Sequence, residues 1–372
     1  MTSMEHAGRP GTNASGSRPG DPARGASRAG LSLAGGRRPV VGLVAHDPAV
    51  PSFRLRMAAL RPALEESGAV VRTVALGRGR EWVRVVRRRA DLAACDLLVF
   101  QQVKLLAGER AFVLRLCPSW VLDVDDAIMF RRPRTRGAPP STSGWRLRRF
   151  RRMARRCRLV VAGSQSLRSM IGPAASRLEV LFTPVDLASY PAAALPARDR
   201  VRFAWIGLGS NLCYLEDLAP VLRAMREAGH EFEVRVISDR LPDLAGVPTT
   251  LVPWSASTEA AELAGCDVGL APLADDLWTR GKAAYRCVQY AAAGLPTVAS
   301  PVGANSEVVA DGVTGLWATS PDDWRRALSR LCGDAALRRR MGAAARAAAG
   351  RFDIREYGRR YLALIDELMS SR

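Results

Sequence analysis

Of the 55 basic residues in this 372-residue chain only two, Lys104 and Lys282, are lysines; the rest are arginines. An ammonium is a compact point charge and a guanidinium a broad planar fork, so the two differ where space around an anion is tight. Lys282 heads the stretch 281–309, GKAAYRCVQYAAAGLPTVASPVGANSEVV. Helical periodicity there predicts Lys282 and Arg286 one turn apart on a shared face, with Gln289 three residues further along. Two cations at a helix start suit a diphosphate, because free N–H groups make helix starts anion sites. Cations also stabilise the charge that develops on such a leaving group. Gly294-Leu-Pro296 then ends the helix and leads into the apolar strand Thr297–Ser300. The small-residue turn Pro301-Val-Gly303-Ala-Asn305-Ser-Glu307 opens another helix. Asn305 reads as a cap or a base-side contact, and Glu307 as a cap or a ligand contact. The plainer alternative for the block is a solvated basic helix start.

The spacing of Lys282, Arg286, Gln289, Tyr290, Gly294 and Pro296 resembles a pattern found in the retaining, nucleotide-sugar-dependent glycosyltransferases of GT-B fold, the "group 1" family. A subgroup of that family reads G-K-x3-[KR]-x2-[QE]-Y-x-A-x-G-x-P. The family's Glu-x7-Glu element ends at Gln289 here, and Gly281 stands where its first Glu commonly touches the donor sugar. The resemblance extends over roughly residues 39 to 370 and is specific in this block. It implies an α/β fold of two Rossmann-like doubly wound domains facing across a cleft, with a C-terminal helix crossing back to the N-terminal domain. It implies an enzyme that moves a sugar from a nucleoside diphosphate to a carbohydrate or lipid-linked acceptor, with no metal and no cofactor beyond the nucleotide sugar. Lys282 and Arg286 would hold the diphosphate, Gln289 the ribose, and the glycine turns at Gly207, Gly209 and Gly303 the phosphates, with Asn305 also on the donor side.

Two further segments carry chemistry. Gly207-Leu-Gly209-Ser210-Asn211 follows a strand, where a dinucleotide fingerprint would sit. Leu212 occupies the place of its third glycine, which disfavours a nicotinamide dehydrogenase. The turn reads as backbone N–H groups and a Ser210 hydroxyl near a pyrophosphate or the acceptor, or as an ordinary strand-to-helix turn. Val121-Leu-Asp123-Val-Asp125-Asp126 puts three carboxylates at a strand's C-terminal end, where open parallel sheets place their sites. Neighbouring carboxylates raise one another's pKa, so Asp125 or Asp126 can accept a proton or hold acceptor hydroxyls. Alternatively Asp126 caps a helix and Asp123 is structural. His46 and Arg54 follow the first strand and read as acceptor-side or as plain surface residues.

The elements that position these residues follow from hydrophobic runs. Strand-like segments lie at 39–45, 69–75, 96–101, 119–124, 158–163 and 178–183. They lie again at 201–207, 231–237, 249–253, 267–272, 296–300 and 314–318, with helical patterns between. Such alternation predicts parallel sheets. The expected organisation is a disordered tail over 1–38, an acceptor domain over 39–190, a Pro-bounded linker near 191–196, a donor domain over 200–350 and a crossover helix over 351–372. The tail, rich in Gly, Ala, Ser, Pro and Arg, has too little apolar surface to offset its ordering entropy.

Seven scattered cysteines without a C-x-x-C pair argue against a disulfide framework or zinc site and for a reducing cytoplasm. No run approaches the roughly twenty apolar residues of a spanning helix. The formal net charge is +19. The tail, with six arginines and two acids, leaves +15, and residues 131–158, with twelve arginines and no acid, account for all but +3 of that. Within that segment Trp145, Leu147, Phe150, Met153 and Cys157 recur at near-helical spacing. A helix over 145–158 can lie on anionic lipid, placing the protein peripherally on the inner face of the cell membrane, or pack on the core with a solvated arginine face. Nucleic-acid binding is the third reading of the charge, but no recognition motif accompanies it. A catalytically inactive scaffold that binds a glycan or nucleotide sugar remains the rival from another class.

Overall fold

The computed structural model describes residues 31, 36–77, 81–131, 143–191 and 200–370. The expected tail lies outside these except at Leu31 and residues 36–38. The expected linker falls outside them after Pro191, and the arginine-rich stretch between 132 and 142 lies outside entirely.

Two six-stranded sheets, parallel throughout, carry the fold. The first comprises β1 (Val40–Ala45), β2 (Val70–Ala75), β3 (Leu97–Gln101), β4 (Trp120–Val124), β5 (Leu159–Ala162) and β6 (Leu178–Val180), ordered β2-β1-β3-β4-β5-β6. The second comprises β7 (Val201–Ile206), β8 (Phe232–Ser238), β9 (Thr249–Pro253), β10 (Val268–Ala271), β11 (Thr297–Ala299) and β12 (Gly315–Trp317), ordered β12-β11-β10-β7-β8-β9. Every residue of β3, β4, β5 and β10 is buried, as expected of strands with helices on both faces. Strand order reverses beside β1 in the first sheet and between β7 and β10 in the second. Open α/β sheets bind ligands outside the strand ends at such points.

Side-chain alternation along the strands divides each domain into two cores. In the first domain Trp120, Leu122 and Val124 of β4 pack with Phe150 and Met153. The opposite face, with Val121, packs with Tyr357, Tyr361, Ile365 and Met369 of the helix Ile354–Ser370. The chain thus leaves the second domain and returns to the first, as expected. Arg56 and Asp123 lie on this returning side. Arg56 Nε and Nη2 donate to the two Asp123 oxygens at 2.7 and 2.8 Å, with both side chains fully buried. Tyr361 OH donates to Asp123 at 3.3 Å, and Tyr357 OH to the carbonyl of Arg56 at 3.3 Å.

The apolar stripe of the arginine segment faces the core and not a lipid surface. In the helix Gly144–Ala154, Phe150 and Met153 are buried, Leu147 packs against them, and Cys157 just beyond is buried too. Trp145 alone of the five is exposed, at 58%, with the Arg149 guanidinium 5.1 Å from its ring centre.

Candidate active site

A cleft of about 520 Å³ runs between the sheets' C-terminal edges, lined from one side by Asp125, Asp126, Thr183 and Arg54 and from the other by Gly207, Lys282, Arg286 and Gln289. On the second domain it opens at the β7/β10 reversal. The helix Tyr285–Ala292 is fixed there by Tyr290. Its hydroxyl accepts from the Ile206 N–H at 3.2 Å and lies 3.0 and 3.1 Å from the carbonyl oxygens of Leu270 and Ala204. Its ring covers Gly269, where a Cβ would come within 2.3 Å of it.

That helix starts later than its spacing predicts. Ala284 adopts the left-handed region (φ 51°) and Lys282 is extended, so Lys282 and Arg286 do not share a helical face. Both line the cleft wall instead. The Arg286 guanidinium lies 4.6 Å from the centre of the Trp205 ring, and its buried Nη1 has no hydrogen-bond partner among the described residues. Gln289, 4% exposed, donates to Tyr190 OH at 3.4 Å.

Facing this wall, Asp125 is 6% exposed and accepts hydrogen bonds from Gln101 at 3.1 Å and from Gln102. Burial, then the Asp126 carboxylate, raises its pKa to about 7 against the pull of Arg56. Asp123 does not join this pair at the cleft: its bond to Arg56 on the far face commits it to structure. Gln102 also has positive φ (56°). Gln102 and Ala284, the only non-glycine residues in that region among those described, therefore flank the cleft from its two sides. Each costs of order 1–3 kcal/mol, a strain that clusters at functional sites.

The remaining expected residues divide. Gly207 lines the cleft, but its N–H is bonded to Ile237 O at 3.1 Å. Gly209 donates to Asp239 at 2.5 Å and accepts from Arg240 at 2.7 Å, so its backbone serves the turn, and Ser210 is exposed outside the cleft. Asn305 touches the cleft while its amide donates to Ala271 O and Ser300 O at 3.2 and 3.1 Å, a structural bridge. Gly303 (φ 55°) lies under the chain at Arg280, whose carbonyl a Cβ would approach to 2.3 Å. His46 contacts Arg84 at 3.1 Å and does not line the cleft. Arg54 does line it, with its guanidinium 5.1 Å from the Trp254 ring centre of the other domain.

Two further contacts join the domains beside the site. Glu307 accepts from the N–H groups of Gln165 and Ser166 at 2.8 and 2.7 Å and from the Ser166 hydroxyl at 2.5 Å. It thus caps the helix Gln165–Ile171 of the first domain. Gly281 abuts Ala127, and a Cβ there would fall 2.3 Å from that of Ala127. Gln101, Gln102, Trp205 and Trp254 escape sequence reading, as does the pairing of Arg56, which reads there as an acceptor-side or surface residue, with Asp123. The only signal for Arg56 is its Arg-x-Arg spacing from Arg54.

Residues 193–334 match the family described as glycosyl transferases group 1. No curated protein matches the chain. Among solved structures, sucrose-phosphate synthase from Thermosynechococcus elongatus aligns with a TM-score of 0.71 at 15% identity, over 90% of this chain and all of that one. Anabaena Alr3699/HepE in complex with UDP and glucose aligns with 0.66 at 16%, over 89% and 100%. A glycosyltransferase from Rickettsia africae gives 0.68 at 10%, over 90% and 100%. The chain accordingly has the two-domain GT-B fold, with the group 1 glycosyltransferase match falling on residues 193–334.

Proposed function

We propose that the protein transfers a sugar, with retention, from a nucleoside diphosphate to a carbohydrate or lipid-linked acceptor bound on the first domain. The buried Arg286 Nη1, unpartnered at the strand-order reversal, carries this reading. A buried cationic donor without a partner is costly unless an anion completes it. Arg286 and Lys282 would take the diphosphate, with the leaving-group charge met by these side chains and no metal. Gln289 would bond the ribose. Leu208, Leu251 and Trp254, exposed apolar residues lining the cleft at the ends of β7 and β9, offer a wall for the base. Asp125 would accept the proton of the attacking hydroxyl. UDP is the first nucleotide to try, since the Anabaena protein was solved with it.

Gly281 favours a second reading, a scaffold that binds nucleotide sugar without turnover, because its contact with Ala127 leaves no room for a side chain. Calorimetry with UDP on wild type and Arg286→Met tests the binding, and release of UDP from a UDP-sugar separates enzyme from scaffold. Wild-type affinity in the variant would refute the diphosphate assignment. Among the described residues no helix is long and apolar enough to cross a membrane. Any membrane contact of a cytoplasmic protein would rest on the exposed Trp145, Arg148, Arg151 and Arg152 of the arginine helix.

A further inference from the structure

Positive charge collects at the far end of the loop that carries the carboxylates. The Lys104 ammonium donates to Ile128 O at 3.2 Å, Arg146 Nη1 to Phe130 O at 3.0 Å, and Arg110 Nη1 to Leu105 O at 2.8 Å. Ile128 and Phe130 follow Asp126 closely in the same loop, so one short segment joins the carboxylate pair to these cations.

The charges there are unequal. Glu109, 1% exposed, is the one carboxylate ion-paired within this cluster among the described residues. Arg84 already holds it with two bonds, at 3.0 and 3.4 Å, and Arg149 approaches to 3.8 Å. It also accepts the Leu106 N–H at 2.7 Å. Among the described residues Lys104 and Arg146 are tethered by carbonyl oxygens, which fix position without neutralising charge, whereas Arg110 also feels the Glu109 carboxylate. An ammonium has three donors and a guanidinium five, so most remain for a ligand. The crowding is felt: burial, then Arg146 and Arg149, lower Lys104 to about 8, and burial followed by Arg152, Arg156 and Arg149 lowers Arg110.

We propose that Lys104 and Arg146 form a subsite for a phosphoryl group carried by the acceptor. The inference rests on the glycosyltransferase reading and narrows its acceptor to a phosphate or diphosphate ester. A compact ammonium beside a planar fork matches the several oxygens of a phosphoryl dianion better than the two of a carboxylate. The donor diphosphate has its own cations on the other domain. The acceptor's hydroxyl at Asp125 and its phosphoryl group at Lys104 then sit at opposite ends of one loop. Both lysines of the chain stand at phosphate sites.

Inorganic pyrophosphate titrated calorimetrically into the full chain should fill two sites. Lys104→Met combined with Arg146→Gln should weaken one by at least about tenfold, or about 1.4 kcal/mol, while the other site and the circular dichroism spectrum persist. Lys282→Ala should do the reverse. Two intact sites in the double variant overturn the subsite and leave the donor reading standing. A silent Lys282→Ala with one site lost in the double variant overturns the donor assignment and leaves the subsite. Displacement from the subsite by a soluble hexose phosphate identifies a free phosphorylated acceptor, and displacement by a prenyl diphosphate alone a lipid-borne one. Displacement by neither overturns the proposal. Binding of phosphatidylglycerol vesicles without any binding of pyrophosphate also overturns it and makes the patch a membrane surface.

Discussion

The two halves of the molecule share one architecture and use their buried charges in opposite ways. In the first domain, Arg56 and Asp123 close on each other with two bonds, and their role ends in holding the returning helix. In the second, Arg286 is half-buried and lies over Trp205, with its one buried nitrogen left without a partner among the described residues. A buried guanidinium with a carboxylate across from it is architecture, whereas one beside an aromatic ring and a cavity keeps the donor that we propose an anion takes. The contrast shows that burial of charge alone does not mark a site; the partner does.

The contrast is open to several tests. The largest expected effect is on the closed pair. Arg56→Ala strands a buried carboxylate and should lower unfolding stability by about 3–5 kcal/mol in urea denaturation, far more than Arg286→Met. Similar losses for the two variants would remove the distinction.

Asp125→Asn comes next, with turnover expected to fall at least about a hundredfold as a proton acceptor is lost. Wild-type turnover should rise with pH through about 7 and then level off, because the carboxylate is the active form. Stability runs the other way. A carboxyl whose folded pKa is raised contributes fully below its unfolded pKa of about 3.9 and loses that contribution as pH rises through the folded value. Asp125→Asn should therefore be the more stable protein at pH 8, and a less stable variant there would contradict the raised pKa.

Smaller effects follow on the open side and between the domains. Lys282→Ala should weaken UDP binding by about 1.5–3 kcal/mol, as for a charge-assisted hydrogen bond, with little change in melting temperature. Glu307→Ala, which removes a helix cap, should cost about 1 kcal/mol in stability and enlarge the radius of gyration measured by scattering without ligand. An unchanged radius would mean that other contacts hold the domains.

Much of the fold is legible in the sequence because buried parallel strands announce themselves as uninterrupted apolar runs. All twelve observed strands lie within the expected runs or within a residue of them, and the helix returning to the first domain follows the pattern from Phe352 to Met369. The site is less legible, since its decisive relations span domains or break local periodicity. Glu307 could be read as a cap, but its helix lies 142 positions away in the chain. The predicted common face of Lys282 and Arg286 assumes a helix that Ala284 postpones. The stripe through Phe150 and Met153 is readable as a helix face, yet nothing local says whether core or lipid receives it. Asp123 and Asp125 look alike in sequence, and strand alternation together with Arg56 separates them.

The Glu307 cap has a consequence for traffic through the cleft. Three hydrogen bonds to one carboxylate share a single rigid anchor, so they must part together when the domains rotate. Opening would then proceed by a jump between fastened and unfastened forms, with no graded widening in between. The free fraction of the helix 165–171 amides, followed by hydrogen exchange, would report how often the cleft stands open.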